Sequence, residues 1–239
     1  VKLVDSINRV NPEWEILGFI DDKDEYENRY ILNYPVLGKK ELIKTLSLTP
    51  DVYFFNNYYG KLNEFKKRLE YLISNNCKIP TLIHPSVDLN YVKVGKGCVI
   101  TDGCVIGSNV GIGNYVTIRL KSIISHDVKI EDYVLIAPGA NIGSCVTLKE
   151  GSFIGAGATI MRTKTVGVEC TVGAGAAVVE NTPDRSIVVG VPAKKLKKNL
   201  FRRIIRRINR DFKKLKKFLK SKHKYNNLFR EKFNHKNSS

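Results

Sequence analysis

Between Val94 and Val178 every sixth residue is aliphatic: Val94, Ile100, Ile106, Ile112, Ile118, Ile124, Ile130, Ile136, Ile142, Leu148, Ile154, Ile160, Val166, Val172 and Val178. Four positions after each stands mostly a small or β-branched residue, as at Cys98, Cys104, Val110, Val116, Ser122, Val128, Val134, Ala140, Val146, Ser152 and Ala158. Glycine often follows the aliphatic residue directly, as at Gly95, Gly107, Gly113, Gly143, Gly155, Gly167 and Gly173. An α-helix cannot keep every sixth residue on one face. Short strands joined by tight turns can, if each hexapeptide makes one side of a coil. The aliphatic residues then point inward, and the glycines allow backbone geometry that a Cβ would forbid. Stacked coils share ladder hydrogen bonds about 4.8 Å apart. At three hexapeptides per coil the run predicts about five coils of a parallel β-helix.

Upstream, the pattern changes to alternating strand and helix. Glu15–Ile20 reads as an apolar strand ending in Asp21-Asp22, and Lys39–Leu46 as a short helix. Asp51–Phe55 reads as a second strand ending in Asn56-Asn57, Leu62–Ser74 as an amphipathic helix, and Pro80–Ile83 as a third strand. This order predicts βαβ units with a parallel sheet whose strand ends face a ligand, which makes Asp21, Asp22 and Asn56 candidate substrate contacts.

The repeat resembles the hexapeptide-repeat transferases, whose left-handed β-helix is an exception to the usual right-handed crossover. Ile124-Ser125-His126-Asp127 is similar to the active-site segment of the sialic-acid O-acetyltransferase and UDP-amino-sugar N-acetyltransferase family. Val189-Gly190-Val191-Pro192-Ala193-Lys194 is similar to the segment that closes the β-helix there and touches coenzyme A. The resemblance continues through Gly18-Phe19-Ile20-Asp21-Asp22, Pro35-Val36-Leu37-Gly38 and Ile83-His84-Pro85-Ser86. It implies a Rossmann-like, sugar-nucleotide-holding domain over residues 1–84, a left-handed β-helix acetyltransferase domain over 85–193, and a basic tail over 194–239. The family opens with a strand and a Gly-Gly-His turn, whereas Val1-Lys2-Leu3-Val4 aligns with the helix after that turn. The expected Rossmann-like domain therefore lacks its first strand.

Acyl transfer from a thioester requires the attacking amine or hydroxyl to lose its proton, work that suits a positioned histidine. His126 is the one histidine inside the repeat, two residues after an inward Ile124 and so at a turn. The resemblance carries the base role onto His126, and Asp127 is the neighbour that would orient its imidazole. The resemblance also implies acetyl-CoA in a groove between neighbouring β-helices of a homotrimer. Gly139, Ala140, Gly155, Ala156, Gly173 and Ala174 would leave that wall open, although each reads equally well as an ordinary repeat turn. Lys194 and Lys195 would meet the 3′-phosphate. Arg119 stands where amino-sugar N-acetyltransferases carry Asn, and reads either as a contact to an acceptor carboxylate or as a solvated arginine. Leu135 stands where some members place a second histidine. His84, before Pro85, reads as structural. No metal is expected, because the zinc site of the related γ-carbonic anhydrases takes three histidines and only His84 and His126 lie near the repeat.

Composition modifies this picture in two places. Of the 40 Lys and Arg, 19 fall in residues 193–239 against only Asp211 and Glu231, while residues 1–192 hold 21 basic and 21 acidic residues. The net charge of +17 is therefore a property of the tail. There Leu196, Leu200, Ile204, Ile208, Phe212, Leu215 and Leu219 recur at helical spacing opposite Lys and Arg. This predicts an amphipathic helix over 194–222 that suits an anionic membrane surface or bundling with trimer mates, and a nucleic-acid role is not expected. The five cysteines form no CxxC pair and read as buried, reduced thiols of a cytoplasmic protein, peripheral at most on the inner face of the membrane. The reading is an acetyl-CoA-dependent acetyltransferase acting on an amino or hydroxyl group of a sugar or sugar nucleotide. The alternatives are O-acetylation of a small hydroxyl compound such as serine, and a non-catalytic β-helix scaffold with a membrane-binding tail.

Overall fold

The computed structural model describes residues 1–26, 29–58, 60–196 and 210. From Leu82 onward the chain winds through three stacked parallel sheets. Almost every hexapeptide contributes one two-residue strand, and its ladder partners lie 18 residues away, as in Ile124↔Ile142 and Ile136↔Ile154. The first face runs from Leu82–Ile83 through Val99–Ile100, Thr117–Ile118, Leu135–Ile136, Phe153–Ile154 and Thr171–Val172 to Ile187–Val189. The second holds Lys93–Val94, Gly111–Ile112, Lys129–Ile130, Thr147–Leu148 and Thr165–Val166. The third holds Val105–Ile106, Ile123–Ile124, Asn141–Ile142, Thr159–Ile160 and Ala177–Val178. These stacked parallel sheets are consistent with the left-handed β-helix expected from the repeat.

The core follows the repeat. Ile100, Ile118, Ile136, Ile142, Leu148, Ile154, Val166 and Val172 are wholly buried, as are the small residues four positions after an aliphatic one, Cys98, Val116, Ser122, Val134, Ala140, Val146, Ser152, Ala158 and Cys170. Two-residue strands cannot hold themselves, so stability comes from this shared interior and from the ladders between coils.

The glycines play a different part from the expected one. Gly95, Gly107, Gly143 and Gly155 do not adopt left-handed backbone; a Cβ on any of them would lie within 3 Å of the neighbouring coil's backbone. They permit close approach. The left-handed positions come two residues later, at the corner tips, and many are not glycine: Asn109, Tyr115, Lys121, Asp127, Tyr133, Cys145 and Thr163.

Upstream, α1 (Lys2–Val10) lies against Leu82–Ile83. It occupies the segment that aligns with a helix in the resemblance. Phe19–Ile20 pairs parallel with Tyr34–Gly38, which pairs antiparallel with Tyr30–Ile31. α2 (Leu42–Leu46) and α3 (Leu62–Ser74) cover a small core of Ile43, Phe54 and Leu72. Two expected strands are corrected. Asp51–Phe55 is reduced to a single bridge, Tyr53↔Lys78. Pro80–Ile83 does not add to an N-terminal sheet: Leu82–Ile83 pairs with Val99–Ile100 as the first rung of the β-helix, whose open end offers unpaired backbone groups to it. Among the described residues no continuous parallel sheet therefore joins the three expected strands. Val1–Lys195 form one compact unit.

At the other end, Lys194–Lys195 turn back antiparallel to Val188–Val189, and the Ala193 amide donates to Ala177 O at 2.7 Å. Val-Gly-Val-Pro-Ala-Lys thus closes the β-helix, and Lys194 with Lys195 after it forms a strand rather than opening the expected helix. The remainder of the predicted tail helix, apart from Leu196 and Arg210, lies outside the described residues. Among the described residues no helix is long and apolar enough to cross a membrane.

Truncating the fully buried Ile142 to Ala should lower the free energy of unfolding by about 2–5 kcal/mol. Asn141→Ala, one residue away on the exposed side of the same strand, should change it by no more than about 0.5 kcal/mol. Urea midpoints at unchanged slope would check both.

Candidate functional site

The corner joining the third face to the second carries Ser125, His126 and Asp127. Gly107 stands one coil below, and its missing Cβ would lie 2.8 Å from the His126 amide nitrogen. That absence lets the His126 peptide sit close on the lower coil. The Asp127 amide donates to Ser108 O at 3.1 Å, and the Cys145 amide donates to His126 O at 3.1 Å, fixing the corner from both sides. The inward neighbours Ile124 and Val128 are buried, so the tip residues between them must face outward.

His126 Nδ1 lies 2.7 Å from Asp127 Oδ2. An ionised carboxylate only accepts, so Nδ1 carries the hydrogen and the Nε2 lone pair is left free in the neutral ring. Asn109 Nδ2 donates to Asp127 Oδ1 at 2.6 Å. The His126 and Asn109 hydrogen bonds hold the Asp127 carboxyl below its ordinary pKa. The folded-state value is depressed, so this contribution is complete above the unfolded carboxylate pKa and is lost as pH falls through the lower folded one.

Asn109, Asp127 and Cys145 form a column at successive coils, each with φ near +58°. Asn109 and Cys145 escape a reading of local motifs because they lie 18 residues either side of Asp127; the period of one coil is the signal that finds them. Cys145 also corrects the expectation that all the cysteines are buried. Cys98, Cys104 and Cys170 sit four positions after an aliphatic residue and point inward, whereas Cys145 sits three after Ile142, at the tip, and is exposed.

The remaining predicted residues fall elsewhere. Arg119, Gly139, Ala140, Gly155, Ala156, Gly173 and Ala174 share the corner between the first and third faces. The wall at that corner is open at Gly139, where a Cβ would meet nothing within 4 Å, and also at Gly157 and Gly175. It is not made by Ala140, which is wholly buried, nor by Gly155 or Gly173, whose missing Cβ atoms face Ala174 N and the Val189 side chain. Arg119 is half-buried. Lys194 is exposed on the closing strand, with Lys195 beside it. Asp21 Oδ1 accepts from Lys23 N at 3.0 Å and Asp22 Oδ1 from Lys40 N at 2.9 Å. Asn56 ties Phe65 O in α3. His84 Nδ1 accepts from Ser86 N at 3.2 Å, which fits its structural reading.

A cavity of about 570 Å³ lies at the corner between the second and first faces, under the start of α3, lined by Tyr58, Leu62, Tyr115, Tyr133, Phe153 and Glu169. It contains none of the predicted site residues. The His126–Asp127 pair is open to solvent, with side chains 57% and 45% exposed. Beside it the third face presents Val105, Ile123 and Met161, 61%, 47% and 47% exposed.

Residues 122–162 match the bacterial transferase hexapeptide family model of six repeats. Among solved structures, a mutant of GDP-perosamine N-acetyltransferase from Caulobacter crescentus in complex with CoA and GDP-perosamine is similar. It is 25% identical, with a TM-score of 0.74, over 82% of this chain and 91% of that one. The acetyltransferase domain of PglB from Neisseria gonorrhoeae is 28% identical, with a TM-score of 0.72, over 81% of this chain and 93% of that one; that domain is also known in complex with acetyl coenzyme A. WeeI from Acinetobacter baumannii shares the fold, at 24% identity and a TM-score of 0.69, over 82% of this chain and 93% of that one. Comparison with curated protein sequences finds no significant match.

Gly107→Ala should reduce both stability and activity, because its Cβ meets the backbone that carries His126. Gly139→Ala meets no atom and should cost only the left-handed backbone term of about 1 kcal/mol. Thermal unfolding of the two variants would show the order.

Proposed function

We propose that this hexapeptide-repeat protein transfers the acetyl group of acetyl-CoA to an amino group of a sugar nucleotide, with His126 as general base. The observation that carries the reading is the oriented His126–Asp127 pair, with Nδ1 committed to the carboxylate and Nε2 free. The acceptor nitrogen attacks the thioester carbonyl as Nε2 takes its proton. A C–N bond forms, the C–S bond breaks, and the imidazolium returns the proton to the departing CoA thiolate. Asp127 stabilises the imidazolium without itself accepting the proton. Support for acetyl-CoA and a nucleotide-linked amino sugar comes from the similar structures, one an N-acetyltransferase holding CoA and GDP-perosamine. Asp21, Asp22 and Asn56 are the proposed nucleotide-side contacts, and Lys194 with the open corner at Gly139 the proposed CoA contacts. A hydroxyl acceptor with a carboxylate is the second reading, favoured by the half-buried Arg119. The protein works on the cytoplasmic side, with its basic tail against an anionic membrane surface.

General-base catalysis requires an acceptor held within hydrogen-bond reach and shielded from bulk water, yet one chain leaves His126 open. The apolar third face beside it supplies the surface for further copies, and the site is completed in a homotrimer. Ile123 is half-exposed in one chain, so Ile123→Glu should leave the coil folded. It should shift sedimentation from trimer to monomer and abolish acetyl transfer.

With acetyl-CoA and a panel of GDP- and UDP-linked amino sugars, sialic acid and serine, acetylated product should appear with an amino sugar. His126→Ala should lower kcat by at least about 10²-fold, and Asp127→Asn by less. Product formation unchanged by His126→Ala would sink the mechanism, and product only from sialic acid would move the acceptor to oxygen.

A further inference from the structure

The corner that holds the proposed base brings together three side chains of metal-binding type from two successive coils. The ligand atoms of His126, Asp127 and Cys145 all lie within 4.8 Å of one another, and all three residues are exposed. Asp127 and Cys145 stack one above the other at matching left-handed corners, φ 58° and 57°. The Cys145 amide bonded to His126 O at 3.1 Å holds the two coils in that register. We propose that this corner binds a thiophilic divalent cation, of which Zn²⁺ is the type, and that the bound cation switches the base off. The proposal rests on His126 being that base.

The donor set decides the class of ion. One thiolate, one imidazole and one carboxylate make a tetrahedral site with an open fourth position, and they disfavour Mg²⁺ and Ca²⁺, which prefer all-oxygen shells. Asn109 Nδ2, bonded to Asp127 Oδ1 at 2.6 Å, orients the carboxylate from behind, as outer partners of metal ligands do, and Oδ2, which accepts from His126 Nδ1 in the metal-free chain, is the oxygen that turns to the ion. Loss of the base follows whichever nitrogen binds. A cation on Nε2 occupies the lone pair that takes the acceptor's proton. A cation on Nδ1 moves the neutral ring's one hydrogen from Nδ1 to Nε2, which then has no lone pair to offer. Binding releases the Cys145 thiol proton to solvent, and no redox step is involved. Neither a zinc site of three histidines nor a catalytic cofactor is implied: the metal-free chain is the active form.

The test uses the full chain, titrated with Co²⁺ as a spectroscopic stand-in and with Zn²⁺ in competition with a chromophoric chelator. The wild-type protein should develop a thiolate-to-cobalt charge-transfer band, and Cys145→Ala should lose the band and bind Zn²⁺ at least about 10-fold more weakly. In acetyl transfer followed by mass spectrometry of the product, Zn²⁺ should inhibit the wild type reversibly to chelation. Cys145→Ala should keep its metal-free rate and resist inhibition. No charge-transfer band, or equal Zn²⁺ affinity with and without the Cys145 thiol, would overturn the site. The cobalt band needs no turnover, so a protein that shows it without acetylating any acceptor would keep the metal site and discard the acetyltransferase reading instead.

Discussion

The coil-to-coil ladder is the interaction on which everything else in this protein depends. Almost every strand of the β-helix is only two residues long and carries no stability by itself. It persists because its backbone groups pair with strands 18 residues before and after it, while its aliphatic side chain enters an interior shared by all coils. Such a structure tolerates no slip: one residue of displacement would turn the Ile column outward and the polar column inward. The glycines after the aliphatic positions serve the same constraint by letting adjacent coils approach.

That constraint also creates chemistry. Ladder pairing at a fixed spacing stacks corner residues into columns, so residues far apart in sequence meet at the same place on successive coils. Asn109, Asp127 and Cys145 are such a column, and His126 leans on it. The backbone there is held from above and below, which gives an exposed imidazole a defined orientation without burying it. The proposed base is positioned by secondary structure and enclosed by nothing in its own chain. Enclosure therefore falls to the neighbouring apolar face and to whatever copy covers it.

The N-terminal region is tied to the opposite corner. Lys66 pairs with Glu150 at 2.7 Å, lies over the Tyr133 ring, and Leu62 fills the space beside Gly151. This leaves the third face and the His126 corner free within the Val1–Lys195 unit, a division of surfaces that suits assembly on one side and ligand-holding on the other.

The repeat, its inward residues, the closing Val-Gly-Val-Pro-Ala-Lys segment, α3 and the position of His126 at an outward tip were all legible in the sequence, because each follows from local periodicity or a local turn. The inward cysteines were legible by the same rule, and Cys145 was an exception that its position three after Ile142 already marked. Only the tertiary structure decided that Leu82–Ile83 joins the β-helix instead of an N-terminal sheet, since strand pairing depends on which backbone edge is open. It also decided that Gly155 and Gly173 face the next coil, while Gly139 faces solvent. Finally, it placed Asn109 and Cys145 around the His126–Asp127 pair. Local spacing is a property of the chain, but which spaced residues touch is set by how many residues make one coil and by the register in which the coils stack.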